Sequence, residues 1–214
     1  MRVLYLTGFI VVLDQVTKLL VKGFSLPIFD FYHSGMQLGA SSPILGDFFR
    51  LTFIENPGMA FGIDIGGKLF LTLFSLVASI GILWYVWKVR EEPLIVRLPL
   101  AMILGGAIGN LIDRVFYGVI FGEGPLFYGK VVDFFDVDFF NIDFLGYQIH
   151  RWPVFNIADA SVSFGVLILL MFHRRFTAID ERTDELIPAT AILSDPDGIK
   201  DGASVASNDS KISP

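Results

Sequence analysis

Apolar and polar positions divide this chain into long uncharged runs separated by charged connections. Residues 69–87 carry no charge and are bounded by Lys68 and Lys88, close to the ~20 apolar residues that cross ~30 Å of hydrocarbon as a helix. Residues 98–112, 3–13 and 160–172 are shorter apolar runs. Each reaches spanning length only by taking in charge: Arg97 or Asp113 with Arg114 for the first of these, Asp14 and Lys18 for the second, Asp159 for the third. The pattern predicts helices at about 3–22, 65–88, 95–114 and 155–173. The expected fold class is an all-α membrane protein with four transmembrane helices and an extramembrane part on the outer side. That part would hold a short β segment near 48–54 and an aromatic interfacial loop. The long connections, 23–64 and 115–154, fall on one side of such a bundle. Residues 116–152 contain twelve aromatics, among them Phe134, Phe135, Phe139, Phe140, Phe144 and Trp152, a composition suited to the headgroup region.

Composition supports lipid as the solvent. Of 214 residues, 53% are hydrophobic and 18% charged, with a mean hydropathy of +0.62, too little charge for an ordinary soluble domain. The net charge of -6 is concentrated in residues 177–214, which hold eight acids and three bases, leaving 14 acids and 13 bases elsewhere. A nearly neutral, Phe-rich body lacks the basic face that phosphate neutralisation needs, so nucleic acid is not an expected partner. Without Cys there are no disulfides, thiolate metal sites or cysteine nucleophile. His33, His150 and His173 show no metal-ligand spacing, so neither metal nor cofactor is expected. The acidic, Ser- and Asp-containing segment 176–214 has no periodic apolar face and is expected to be disordered. Residues 1–175 form the expected membrane domain.

A cleaved signal peptide is the competing reading of the first run, but Asp14 and Lys18 stand where a small-residue cleavage site belongs. Lys88, Arg90 and Arg97 between helices 2 and 3, with Arg174 and Arg175 after helix 4, place those ends and both termini in the cytoplasm by the positive-inside rule. Asp14, Lys18, Asp113, Arg114 and Asp159 then gather at the outer ends of their helices, beside the turn Asn56-Pro57-Gly58. Charge at a membrane segment costs roughly 2.5 to 3.5 kcal/mol per group on insertion scales, so a one-sided cluster marks a pathway or a reaction site.

Each member also has a plainer reading. Asp14 and Lys18, four residues apart, suit a neutralising ion pair as well as a substrate contact. Gly105 and Gly109 suit close helix packing. Asn110 and Arg114 share a helix face, and Arg114 offers planar donors for carbonyl or carboxylate groups. Asn156 and Asp159 have the spacing of an N-cap with an acid three residues on. Asp133 stands among Asp136, Asp138 and Asp143, any of which is equally a loop acid facing water. A transporter using Asp and Lys as an ion relay and a non-catalytic scaffold are the rival functional classes.

Five blocks in order give the chain a specific likeness: Asp14-Gln15-Val16-Thr17-Lys18; Glu55-Asn56-Pro57-Gly58-Met59-Ala60-Phe61-Gly62; Gly105-Gly106-Ala107-Ile108-Gly109-Asn110-Leu111-Ile112-Asp113-Arg114; Val131-Val132-Asp133-Phe134; and Phe155-Asn156-Ile157-Ala158-Asp159. Over about residues 3–175 the chain resembles lipoprotein signal peptidase, or signal peptidase II, the bacterial intramembrane aspartyl protease family. The resemblance implies a catalytic pair, Asp133 and Asp159. Asp14, Lys18, Asn56, Gly58, Asn110, Asp113, Arg114 and Asn156 match positions that shape the site, hold substrate backbone or orient the dyad. It implies a diacylglyceryl-prolipoprotein substrate cut just before the lipidated Cys in the cytoplasmic (inner) membrane, membrane lipid as the other partner, sensitivity to globomycin, and a monomer. The stretches 114–133 and 133–159 are longer than in the commonest members, and the acidic tail is additional. In such a dyad one proton is shared, and Asp133, on a Phe-flanked loop, is the expected protonated member.

Overall fold

The computed structural model describes residues 2–58, 67–138, 142–144, 147–149 and 151–172, with 142–144 and 147–149 described by backbone alone. Residues 59–62 of the second block, Phe139, Phe140, the side chain of Phe144, His150, His173, Arg174, Arg175 and the acidic tail lie outside that description.

Helix α1 (Leu4–Lys22) is followed by β1 (Phe24–Leu26), β2 (Phe31–His33), β3 (Ser41–Leu45) and β4 (Phe49–Asn56). Helices α2 (Gly67–Lys88) and α3 (Leu94–Ile112) come next. A π-helical turn (Asp113–Tyr117) and a last turn, α4 (Gly118–Ile120), carry α3 on as a 27-residue span. Strands β5 (Val131–Val137), β6 (Ile142–Phe144) and β7 (Tyr147–Ile149) precede α5 (Ile157–Met171). Three helices, Leu4–Lys22, Gly67–Lys88 and Leu94–Ile120, are long and apolar enough to cross a membrane, and α5, with 15 residues, is a shorter apolar helix. The protein is therefore mostly helical, with small sheets. Exposed Phe70, Phe74, Val77, Ile80 and Trp84 on α2 are the outward apolar surface that a lipid solvent tolerates and water does not.

Two expectations need correction. The third helix does not stop at 114 but continues to Ile120 through the π turn. One extra residue per turn rotates the helix face, and Asp113, Val115 and Tyr117 all become buried. Asp133 is not on a loop: it lies in β5, which pairs with β4 in the sheet β3-β4-β5. β4 alternates poorly in burial, and its pairing with β5 is irregular, with a register shift between Leu51 and Ile54. The aromatic segment is accordingly not all at the headgroups. Phe134 is 2% exposed, and the Phe135 ring packs at tilted angles against those of Phe134, Phe155 and Phe49.

Small residues set how closely the helices approach. A Cβ on Gly106 would lie 2.2 Å from the Ala158 carbonyl oxygen, and one on Gly105 3.0 Å from Ile10. Gly165 of α5 faces the Pro99 carbonyl in the same way. Glycine therefore lets α3 lie directly against both α1 and α5. Val21, Phe53, Tyr117, Val132 and Phe134 form an apolar core that fastens the sheet to the end of α1 and the π turn.

Candidate active site

The buried charges meet where α1, α3, α5 and β5 converge. Lys18 Nζ lies 2.8 Å from Asp14 Oδ2 and 2.8 Å from Asp113 Oδ2, and it donates to Asn110 Oδ1 at 2.9 Å. Asp14, Lys18 and Asp113 are fully buried. A buried cation between two carboxylates is tolerable only when the remaining hydrogen-bonding positions are filled, and here they are. Asp14 Oδ1 accepts the Ala158 amide at 2.9 Å, which is the start of α5. Asp113 Oδ1 accepts from Gln15 at 2.9 Å, and Asp113 Oδ2 accepts the Val132 amide at 3.2 Å. The ion pair foreseen from the i, i+4 spacing is present, and it ties α1 to three other elements.

One step further out, Asn156 gathers two carboxylates. Its Nδ2 donates to Asp133 Oδ1 at 2.7 Å and also lies 3.1 Å from Asn110 Oδ1 and 3.3 Å from the Val132 carbonyl. Its Oδ1 accepts the Asp159 amide at 2.9 Å, while its own amide reaches Asp159 Oδ2 at 3.3 Å. That is the reciprocal capping box the spacing suggested, with the remaining donor turned to Asp133. Asn110 Nδ2 holds Asp159 Oδ1 at 2.8 Å. Asn156 therefore touches both Asp133 and Asp159, Asn110 adds a second hold on Asp159, and capping and site geometry coexist in one residue.

Register separates Asp133 from its neighbours. Asp136, an odd number of residues along β5, points to the other face, where Thr52 Oγ1 and Arg151 Nε hold it at 2.6 and 2.8 Å. Burial and the nearby Asp159 charge push the Asp133 carboxyl up to about 7, against the lowering effects of Lys18, Asn156 and Asn56. Asn56, whose side chain helps to lower the Asp133 carboxyl, accepts the Gly58 amide at 2.9 Å. Gly58 adopts φ +99 beside Leu71, so its contribution is backbone freedom. Arg114 reaches Ser75 Oγ at 3.5 Å, and its Nε is buried without a hydrogen-bond partner among the described residues. Asp159, half-buried, lines a cavity of about 230 Å³ with Trp152, Phe155, Ala160, Ser163 and Phe164.

Several members were not singled out from the sequence. Gln15 touches Asp14, Asp113 and the Gly109 carbonyl, and accepts from Tyr117 Oη at 3.1 Å. Its place beside Asp14 in an apolar helix was the available signal. Glu55 is held by Lys22 and by Lys130, the latter at 2.5 Å. Burial would raise the Glu55 carboxyl, but Lys130 and Lys22 outweigh it and hold it below the usual range. The same pairing lifts Lys130 above the ordinary lysine value, mainly through the Glu55 hydrogen bond.

This geometry can be set beside known proteins. A family model described as Signal peptidase (SPase) II matches residues 6–174. The chain is 36% identical over 174 residues to a lipoprotein signal peptidase of Pelodictyon phaeoclathratiforme, covering 81% of this chain and 90% of the relative. It is 37% identical over 169 residues to one of Syntrophus aciditrophicus, covering 77% and 86%. A bacterial membrane enzyme solved by the in meso method at 2.3 Å resolution superposes with a TM-score of 0.58 at 27% identity, covering 82% of this chain and 89% of that one. With the family match running from α1 through α5, over the segments that bring the buried carboxylates together, the chain belongs to the signal peptidase II family.

Proposed function

We propose that this chain is a membrane aspartyl endopeptidase that removes the signal peptide from diacylglyceryl-modified prolipoproteins, cleaving before the lipidated Cys. The observation that carries the reading is that Asp133 and Asp159 are both held by Asn156, with Asn110 also on Asp159. Family membership supports a protease acting on prolipoproteins. Residues 1–175 are the catalytic unit in this reading, with both termini cytoplasmic and the site toward the outer face of the bacterial membrane.

Amide hydrolysis needs a base for water and an acid for the leaving nitrogen. Asp133, buried and raised to about 7, begins as the protonated member. Asp159, half-buried and lining its cavity, takes a proton from water as the oxygen attacks the scissile carbonyl. Asp133 donates to the carbonyl oxygen. Collapse of the tetrahedral intermediate breaks the C–N bond, the nitrogen takes the proton held by Asp159, and the gem-diol returns one to Asp133. Products are a signal peptide ending in a carboxylate and a lipidated Cys with a free amine. Arg114 serves the substrate backbone, its Nε, without a hydrogen-bond partner among the described residues, being suited to a peptide carbonyl. Asp14, Lys18 and Asp113 act through the positions of Asn110, Ala158 and Val132, whereas Asn56 and Asn156 orient Asp133.

The test is conversion of a lipidated precursor by Asp133→Asn and Asp159→Asn in membranes. Each is expected to lose at least about 10²-fold in rate, the lower end of what a positioned acid or base contributes. Normal processing by both variants would leave the transporter and scaffold readings standing instead. Globomycin is expected to block the wild-type reaction.

A further inference from the structure

We propose that the β1–β2 hairpin is an interfacial anchor, seated in the lipid leaflet at the site end of the bundle. The hairpin joins Phe24 to His33, Ser25 to Tyr32 and Leu26 to Phe31. It turns through a short 3₁₀ segment, Pro27–Phe29, with Asp30 at φ 47. Its surface inverts the usual arrangement: Ile28 is 93% exposed, Phe29 77% and Tyr32 74%, with Leu26 and Phe31 about half exposed. Asp30 is the one acid among these ten residues, and no Lys or Arg occurs there. Such a cluster on so small an element has no interior of its own to fill, and its aromatic, nearly uncharged composition is that of the membrane interface.

The occupant follows from where the hairpin is held. Gly23 and Gly35, both at positive φ, let the two ends of the loop cross at the end of α1, where any Cβ would strike backbone at 2.4 to 2.6 Å. Gly23 donates to the Leu19 carbonyl at 2.8 Å and Met36 to the Val21 carbonyl at 2.7 Å. The hairpin then folds back alongside the helix instead of leaving it, because His33 Nε2 meets the Leu20 carbonyl at 2.8 Å. With Gln15 and Leu19 of α1 and with Ile112, Tyr117 and Ile120, hairpin residues Leu26 and Tyr32 line a cavity of about 580 Å³. Gln15 lies seven residues before the end of α1, roughly 10 Å along the helix axis at 1.5 Å per residue. The hairpin thus overhangs a stretch of α1 that is already inside the span, where Leu13, Val16 and Leu20 are exposed on the neighbouring face of the helix. Lipid that covers that face also covers the hairpin.

Because the chain has no Cys, a single introduced thiol carries a unique nitroxide. Ile28→Cys and Phe29→Cys, labelled and reconstituted in phosphatidylcholine–phosphatidylglycerol vesicles, are expected to relax several-fold more by collision with oxygen than with a water-soluble nickel chelate. Glu91→Cys, between α2 and α3 and 87% exposed, is expected to show the reverse order. Chelate-dominated relaxation at 28 and 29 overturns the proposal. So does weak relaxation by both reagents, which would put the hairpin against protein. Position 29 serves if the Ile28 variant fails to fold. The measurement uses no substrate, so its outcome is independent of the catalytic reading.

Discussion

Lys18 neutralises two acids at once, Asp14 and Asp113, each at 2.8 Å, while its own helix contributes only one of them. Removing it leaves two buried carboxylates facing each other without a cation, the costly way to break a buried pair. Lys18→Met is expected to lower stability by roughly 3–5 kcal/mol, read as a fall in unfolding temperature in detergent. Adding Asp14→Asn to that variant is expected to recover part of the loss, since one of the stranded charges is then gone. A second residue whose chemistry is doubled is Asn156. It caps α5 and holds Asp133 with the two sides of one amide, so its capping and orienting roles are inseparable in any variant that shortens the side chain.

At the scale of elements, the position of Asp159 relative to Asp133 depends on how closely α5 lies on α3. Gly106 and Ala158 make that approach, with backbone where a methyl would have to go. Gly106→Ala is expected to cost about 1–3 kcal/mol, as overpacking does, and to lower processing because Asn110 and Asp159 sit on the two helices being parted. Gly81→Ala and Gly8→Ala, at helical positions with open space around them, are expected to be neutral or slightly stabilising. Thermal unfolding and precursor conversion of the three variants check both statements. The π turn is the corresponding device at the end of α3: it turns Asp113 and Tyr117 inward together, bringing one to Lys18 and the other to Gln15.

For the molecule as a whole, two titrations of opposite sign bracket the stability. Asp133 has its carboxyl raised to about 7 by burial and by Asp159. The folded state therefore holds that proton more tightly than the unfolded chain, and the associated stability is complete below the ordinary aspartate range and lost as pH rises through about 7. Glu55 is shifted downward: burial opposes the shift, but Lys130 and Lys22 prevail. Its contribution is present above the ordinary glutamate range and disappears as pH falls. Unfolding temperature is expected to decline at both ends, and Asp133→Asn is expected to flatten the decline toward pH 7 while leaving the acid side unchanged.

What the sequence alone determined is what is local. Apolar runs of spanning length, the i, i+4 pair Asp14–Lys18, the Asn156–Asp159 cap spacing and the small residues of α3 depend on neighbours within a turn or two, and the family blocks lie along the chain in order. Tertiary structure decided which far-separated groups share a partner. Apart from the family block, no local pattern distinguishes Asp133 from Asp136; the alternation of β5 on β4 turns one toward Asn156 and the other toward Thr52 and Arg151. A run that reads as a greasy loop became a covered strand for the same reason, since backbone hydrogen bonds to β4 and a shared core outweigh local pattern. The overhanging hairpin was equally invisible, because two glycines twelve residues apart set its direction only once the chain has closed back on the end of α1.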